Sequence, residues 1–329
     1  MDYVQLGNTD LSVSSIALGC WPFAGGEVWG PQDRGDSINT VHAALDAGIN
    51  FFDTAPAYET GESERVLGEA LLGRRHEAVV ATKLGGSQTR PDRIRAVCRE
   101  SLRNLQTDYI DLYQIHWPGH DVPAADTVAA LQELKSLGWI RHFSVCNYGV
   151  QDFGEISGFA SIPSNQLPYS LLWRVVEAEI LPLCRQRGAG LICYSPLMQG
   201  LLTGRYASAD EVPDGLSRTR LYSCSRPLAQ HRDPGCEDLV FTVLDEVREV
   251  ASGEGLSMAL LSLAWVRQQA EVASVLVGAR NPSELTRNLP VLEVSLSPQT
   301  QARLARITDP VRSHLGSNPD MWFSESRFR

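Results

Sequence analysis

Eight short apolar segments recur along the chain, and each is followed by a segment with helical periodicity. The apolar segments have the length and the β-branched or aromatic content of buried parallel strands. They cover residues 14–20, 50–55, 78–84, 109–117, 141–147, 164–170, 189–195 and 273–278. The helical segments cover residues 36–47, 62–72, 91–105, 126–137, about 151–160, 177–187, 238–253 and 257–269. Strict alternation of strand and helix gives a parallel sheet with right-handed crossovers, and eight such units predict a closed (β/α)₈ barrel of the TIM type.

The alternative to a closed barrel is an open doubly wound sheet. That fold is favoured by a Gly-x-Gly-x-x-Gly turn after the first strand, which the sequence lacks. Ahead of the first strand, YVQLGNTDLSV predicts a short hairpin with Gly7 and Asn8 at its turn, suited to closing the N-terminal end of the barrel. After the eighth strand, residues 282–289 and 298–307 have the pattern of further helices.

Two stretches fall outside the repeat. Residues 203–237 form a long loop after the seventh strand, and residues 309–329 form a C-terminal tail that contains Trp322 and Phe323. Long loops in compact domains are usually functional or disordered. Because free aromatic side chains are poorly accommodated in water, we expect the tail to fold over the barrel mouth, with packing elsewhere on the protein or in a subunit contact as the alternative. The whole chain, residues 1–329, is predicted to be a single domain.

Composition narrows the function classes. The net charge is −10 and no block of lysine and arginine is present, which argues against nucleic acid or an anionic membrane as partner. The sequence has no secretory leader pattern and no apolar run near the ~18 residues of a spanning helix, so we expect a soluble, cytoplasmic protein. Seven scattered cysteines without a Cys-x-x-Cys pair are expected to be free thiols.

Four polar residues stand where predicted strands end, at the barrel face that carries active sites. They are Asp53, Tyr58, Lys83 and His116. Taken singly, Asp53 could cap a loop, Tyr58 could pack, and His116 could be a core imidazole. Lys83 differs, because a lysine that ends a buried strand needs a counter-charge or a lowered pKa, and Asp53 on a neighbouring strand can supply the charge.

These four groups could donate a proton to a carbonyl oxygen. Tyrosine titrates near ~10, so a tyrosine acid needs a neighbour that stabilises the phenolate. Lys83 would do so electrostatically, Asp53 would hold the ammonium, and His116 could donate a hydrogen bond that orients the substrate. None of the four can supply a hydride, so a cofactor is required.

Seven segments, in order along nearly the whole chain, resemble the aldo-keto reductase superfamily. They are NFFDTAPAY, VVATK, TDYIDLYQIHW, GWIRHFSVCN, NQLPYSLL, YSPLMQGLLTGRY and VGARNPSELTRNL. The resemblance implies an NAD(P)H-dependent reductase of a small aldehyde, ketone or sugar. Asp53, Tyr58, Lys83 and His116 would form the catalytic tetrad, with Tyr58 as the general acid.

The same resemblance implies where the cofactor and substrate would bind. Asn147 and Gln166 would hold the carboxamide, and Tyr194 would stack on the nicotinamide ring. Further cofactor contacts are implied at Gly19, Trp21, Asp53, Ser195, Leu197, Gly200, Thr203, Gly278, Arg280, Glu284 and Asn288. The substrate pocket would be lined by Trp21, Trp29, Tyr58, His116 and Trp117. The family usually has serine where this chain has Cys146, so one carboxamide contact would be weakened or replaced by a thiol.

The exit of the eighth strand bears on the choice between NADP and NAD. Asn281, Pro282 and Glu284 read as the N-cap, first residue and capping-box carboxylate of a helix, whose N-terminus favours a phosphate. Arg280 immediately before it could bind the 2′-phosphate of NADP, which favours NADP(H), with NAD(H) also possible. Glu284 would repel that phosphate unless the cap occupies it, and Asn288 would meet the adenine.

Two other functions are open at this point. A regulatory subunit could keep the barrel and the cofactor without significant turnover. A metal-dependent lyase or hydrolase could use Asp53 and His116 as ligands, with Asp111, His120 and Asp121 as the further candidates.

Overall fold

The computed structural model describes residues 1–329, apart from the side chain of Glu27. The strands are β1 (Tyr3–Gln5), β2 (Ser12–Ser14), β3 (Ile16–Gly19), β4 (Phe51–Asp53), β5 (Val79–Leu84), β6 (Ile110–Ile115), β7 (Ile140–Cys146), β8 (Ser164–Pro168), β9 (Gly190–Tyr194) and β10 (Val272–Gly278). The α-helices are α1 (Gly26–Trp29), α2 (Arg34–Asp46), α3 (Glu62–Ala70), α4 (Pro91–Asn104), α5 (Ala124–Ser136), α6 (Val150–Ile156), α7 (Ile180–Gln186), α8 (Glu237–Gly253), α9 (Met258–Arg267), α10 (Pro282–Asn288) and α11 (Pro298–Leu315).

Strands β3 to β10 form a closed parallel barrel, with β10 paired to β3, so the predicted (β/α)₈ TIM barrel is confirmed. The register places Gly19 beside Asp53 on neighbouring strands, and Lys83 beside Gln114. Parallel strands end on the same side of the barrel, which brings these residues to one mouth.

The hairpin of β1 and β2 is also present, as an antiparallel pair outside the barrel. Its side chains Leu6, Leu11 and Val13 are fully or almost fully buried. They pack against Phe51 and Leu112 from inside the barrel, so the hairpin closes the N-terminal end with apolar contacts. A second, larger apolar core lies between the barrel and its helices. Among the described residues, no helix is long and apolar enough to cross a membrane.

The boundary predicted between the last helix and the tail is wrong. Helix α11 continues through Pro310 to Leu315, so residues 309–315 are helical and the tail begins at Gly316. Proline in a helix interior removes a hydrogen bond and usually kinks or ends the helix. The helix continues because Val311 and Leu315 extend its buried face past the proline.

Residues 204–236 and 316–329, here called the covering segments, contain no strand and only one short 3₁₀ turn in the described chain, at Ala209–Glu211. Arg220 joins the two. Its guanidinium donates to the carbonyl oxygens of Leu315, Asn318 and Asp320, and it forms an ion pair with Asp233. The side chain of Arg220 is only 8% exposed, so this junction is part of the packed interior.

Candidate functional site

The barrel mouth holds a cavity of about 1270 Å³. This volume exceeds the ~300 to 1,000 Å³ of ordinary ligand pockets and gives room for a dinucleotide together with a small substrate. Every residue that the sequence assigns to cofactor or substrate lines this cavity, as do three members of the tetrad, Asp53, Tyr58 and His116. The fourth, Lys83, lies beneath the surface of the cavity and is fully buried.

Lys83 and Asp53 form the predicted ion pair. The Lys83 ammonium is 2.5 Å from Asp53 Oδ1 and also donates to the Thr54 carbonyl oxygen at 2.8 Å. Burial lowers the pKa of Lys83, but Asp53 and Tyr58 outweigh it and raise the pKa above its usual value. Lys83 is therefore a fixed cation beneath the cavity.

Two glutamines complete the surroundings of Asp53. Gln114 Nε2 and Gln166 Nε2 donate to Asp53 Oδ2, at 3.0 and 2.7 Å. The sequence analysis missed Gln114, although it lies two residues before His116 on a strand whose side chains alternate between the interior and the helices. Its Oε1 is buried and has no hydrogen-bond partner among the described side chains.

Tyr58 lies above the ion pair. Its hydroxyl is 3.4 Å from Lys83 Nζ, and its ring stacks on Trp21 with centroids 5.6 Å apart. Burial raises the pKa of Tyr58 and Lys83 lowers it; the effect of burial is larger, and the resulting pKa is about 12. Lys83 acts on this pKa in the direction expected of a cation that stabilises the phenolate, but burial of the phenol has the larger effect. Tyr58 is a neutral O–H donor across the physiological range.

His116 faces Tyr58, with the ring centroids 6.0 Å apart and the planes nearly perpendicular. Burial, with the positive charges of Lys83 and Arg327, lowers the pKa of His116 to about 3. The imidazole is thus neutral and can offer one N–H to a substrate.

Asn147 and Gln166 were expected to bind a carboxamide. In the structure, Asn147 Nδ2 donates to the His116 carbonyl oxygen at 2.9 Å, and Asn147 Oδ1 accepts from the Tyr194 hydroxyl at 2.9 Å. Gln166 Nε2 is engaged by Asp53, as described above. Both amides therefore hold other site residues in place, although each also reaches the cavity. Cys146, where serine was expected, is fully buried.

The chain that follows β9 bends sharply along the cavity. Ser195, Met198 and Gln199 have positive φ, and Gly200 has φ 97°. Such backbone conformations are costly in side-chain-bearing residues and cluster at ligand sites. At Gly200 an added Cβ would come within 3.0 Å of the Arg205 guanidinium. A glycine backbone in the cavity lining, with the Arg205 guanidinium beside it, suits a pyrophosphate.

Arg280 and Glu284 lie at the exit of β10. The Asn281 side chain accepts the Glu284 N–H at 2.9 Å, as expected of an N-cap, while Glu284 Oε2 accepts the Arg280 N–H at 2.9 Å. The carboxylate is thus occupied, but by the N–H of the residue before the N-cap, so the reciprocal bond of the predicted capping box to Asn281 is not formed. The Arg280 guanidinium donates to Gln32 Oε1 at 3.0 Å and to the Pro31 carbonyl oxygen. Arg205 and Arg287, which the sequence analysis missed, also line the cavity.

Three of the five residues weighed as metal ligands, Asp53, Asp111 and His120, have other partners. Asp53 is bound by Lys83 and two glutamines, and Asp111 forms ion pairs with Arg75 and Arg141 at the other end of β6. His120 pairs with Asp152. In the described part of the chain, no three histidine, cysteine, aspartate or glutamate side chains are grouped so that they could hold a metal ion.

The arrangement at the mouth can be compared with known proteins. The model of the Aldo/keto reductase family matches residues 15–309. The chain belongs to the aldo/keto reductase family. It is accordingly an oxidoreductase that reduces a carbonyl group with a nicotinamide dinucleotide.

Three relatives illustrate the range of this family. An NADH-specific methylglyoxal reductase of Escherichia coli is 35% identical, over 90% of this chain and 95% of its own. A glycerol dehydrogenase of Gluconobacter oxydans is 30% identical, with a TM-score of 0.80 over 97% of both chains. An aldo-keto reductase of Klebsiella pneumoniae, solved with NADPH, is 28% identical, with a TM-score of 0.74 over 93% of this chain and 95% of its own.

Proposed function

We propose that the tetrad of Asp53, Tyr58, Lys83 and His116 carries out this carbonyl reduction, with Tyr58 as the proton donor. The observation that supports it most is the buried ion pair directly below the Tyr58 hydroxyl. When bound, the nicotinamide dinucleotide supplies the hydride to the carbonyl carbon. Tyr58 gives its proton to the carbonyl oxygen, and the Lys83 ammonium, 3.4 Å away, stabilises the phenolate that results.

The neutral imidazole has a separate role. His116 donates one N–H to the carbonyl oxygen and aligns it with the Tyr58 hydroxyl. Asn147 supports this by binding the His116 carbonyl oxygen. Trp21, Trp29 and Trp117 exclude water around the reacting group, which strengthens these hydrogen bonds.

The test is Tyr58→Phe, which removes only the donor oxygen. We expect kcat for aldehyde reduction to fall by about 10²- to 10⁴-fold, with little change in the Kd for the cofactor measured by fluorescence titration. The matched control is Tyr109→Phe, because Tyr109 directly precedes β6 at the end of the barrel away from the cavity. Wild-type kcat in Tyr58→Phe would show that another group is the acid, and absence of turnover in the wild type would favour a regulatory subunit.

We also propose that the cofactor is preferentially NADP(H). The support is positive charge at the exit of β10, where Arg280 and Arg287 line the cavity and Glu284 is held by a backbone N–H. The Arg280 guanidinium, now bound to the loop at Pro31 and Gln32, is the group that would bind the 2′-phosphate. NAD(H) remains the alternative, and the E. coli relative is named as specific for NADH.

Arg280→Ala separates the two cofactors. We expect its affinity for NADPH to fall by about 1.5 to 3 kcal/mol and its affinity for NADH to change much less. Arg303→Ala, exposed on α11, is the control. Equal affinities of the wild type for NADPH and NADH, or equal losses in Arg280→Ala, would refute the assignment.

A further inference from the structure

The tail places an arginine in the lining of the cavity, against Trp117. Arg327 lines the cavity, and its guanidinium carbon lies 3.5 Å from the centroid of the Trp117 ring and 4.3 Å from that of Phe323. Trp117 directly follows His116 in the chain. The charge of Arg327 also contributes to the lowered pKa of His116, which places the guanidinium within electrostatic reach of the imidazole.

One edge of this guanidinium is fixed by a buried carboxylate. Arg327 Nε and Nη2 donate to Asp320 Oδ2 and Oδ1 at 2.6 and 2.9 Å, and Asp320 is fully buried. The carboxylate is itself held by the backbone N–H groups of Trp322 and Arg327. Arg220 anchors the same turn by binding the Asp320 carbonyl oxygen. The rings of Trp117 and Phe323 therefore fix the plane of the guanidinium, and Asp320 fixes its orientation within that plane.

The other edge of the guanidinium has no protein partner. Nη1 has no hydrogen-bond partner among the described residues, and it is not one of the polar atoms enclosed without a partner. A planar guanidinium presents donors on both edges, and an edge that is already oriented loses little entropy on binding an oxygen. The Asp320 carboxylate cancels most of the net charge, so the edge suits a neutral oxygen better than a second carboxylate.

We propose that Arg327 is a specificity-determining residue that binds a second oxygen of the substrate, a hydroxyl or oxo group on the carbon next to the carbonyl. This inference rests on the proposed function, because Tyr58 and His116 must hold the carbonyl oxygen itself. The substrate class is then α-hydroxy and α-oxo carbonyl compounds, rather than simple alkyl aldehydes. The sequence could not show this, because Arg327 belongs to a tail without periodicity.

The experiment compares lactaldehyde, methylglyoxal and pyruvate with propanal, which has the same three-carbon chain and no second oxygen. The wild type is expected to prefer lactaldehyde and methylglyoxal over propanal in kcat/KM, and to act on pyruvate poorly. Arg327→Met is expected to reduce the preference by about 10- to 100-fold, the fold-change of losing one hydrogen bond to a charged group. The loss should be mainly in KM.

Arg327→Lys tests whether a loss of preference comes from a displaced tail. Lysine keeps the ion pair with Asp320, so the tail stays in place, but it has no second edge to bind a substrate oxygen. It too should lose the preference, while Arg306→Met, exposed on α11, should keep it. A wild type that reduces propanal as well as lactaldehyde, or an Arg327→Lys variant that keeps the preference, would overturn the inference and leave the proposed function standing. A wild type that reduces none of these compounds with either cofactor would overturn both.

Discussion

The two sides of the cavity are built in different ways. The tetrad side rests on strand ends, where backbone ladders fix Asp53, Lys83 and His116 and the side chains add one buried ion pair. The other side, formed by the covering segments, lacks a ladder and depends on side chains such as Arg220 and Asp320 that bind backbone groups. We infer that chemistry is assigned to the rigid side, and substrate selection to the side that can vary without disturbing the barrel.

The largest effect is expected on the tetrad side, at Lys83. Arginine keeps the charge but brings a planar fork into a fully buried site shaped for an ammonium. Lys83→Arg should therefore lose about 10²- to 10⁴-fold in kcat, nearly as much as Lys83→Met. Lys83→Met also leaves Asp53 buried without its counter-charge, which should cost about 3 to 5 kcal/mol in the free energy of unfolding.

The control for Lys83 is the other lysine of the chain, the exposed Lys135, replaced in the same two ways. Neither replacement there should alter kcat. Near wild-type kcat in Lys83→Arg would mean that charge alone suffices at this position. It would contradict the inference that the tetrad side requires a specific side-chain shape and the covering side does not.

A smaller effect is expected on the covering side. Arg220→Met removes the hydrogen bonds that tie the tail to the loop, each worth about 1.5 to 3 kcal/mol when the donor is charged. The KM for the aldehyde should rise by about tenfold, and more than the Kd for the cofactor. Arg232→Met, in the same loop but exposed, should behave as the wild type. A loss in kcat without a change in KM would show that the covering segments take part in the chemistry.

The smallest effect is expected on the tetrad side, at Gln114. Gln114→Met removes one of two amide donors to Asp53 and also the buried, unpaired Oε1. Loss of the donor should lower kcat about fivefold, while loss of an unsatisfied acceptor offsets the cost, leaving the free energy of unfolding within about 1 kcal/mol of the wild type. Ser262→Ala, which removes another buried unpaired oxygen, should leave kcat unchanged. Equal kcat in both variants would reduce Gln114 to a packing residue.

The barrel and the pairing of Lys83 with Asp53 followed from the sequence because both depend on periodicity and on where strands end. Gln114 was missed because its contact with Asp53 joins β6 to β4 across β5 and depends on the register of all three strands, which one sequence does not reveal. Arg205 and Arg327 were missed because they lie in the covering segments, where side-chain contacts decide the conformation, and Arg287 because it lies on α10, away from any strand end.

The end of α11 was placed too early, at residue 307, whereas Val311 and Leu315 extend the buried face of the helix to Leu315. At Tyr58, Lys83 acts on the pKa in the expected direction, but burial of the phenol raises the pKa by more than the ammonium lowers it. In both cases tertiary burial has an effect that the local sequence does not reveal.

The most direct test of the account is the pH dependence of kcat for aldehyde reduction, because Tyr58 and His116 titrate at opposite ends of the scale. With pKa values of about 12 for Tyr58 and about 3 for His116, the tyrosine stays protonated and the histidine stays neutral between these limits. We therefore predict that kcat has no titration near pH ~6.5, the ordinary pKa of histidine. A loss of kcat on raising the pH through ~6.5, absent from a His116→Asn variant, would show that an imidazolium is the acid and contradict the role given to Tyr58.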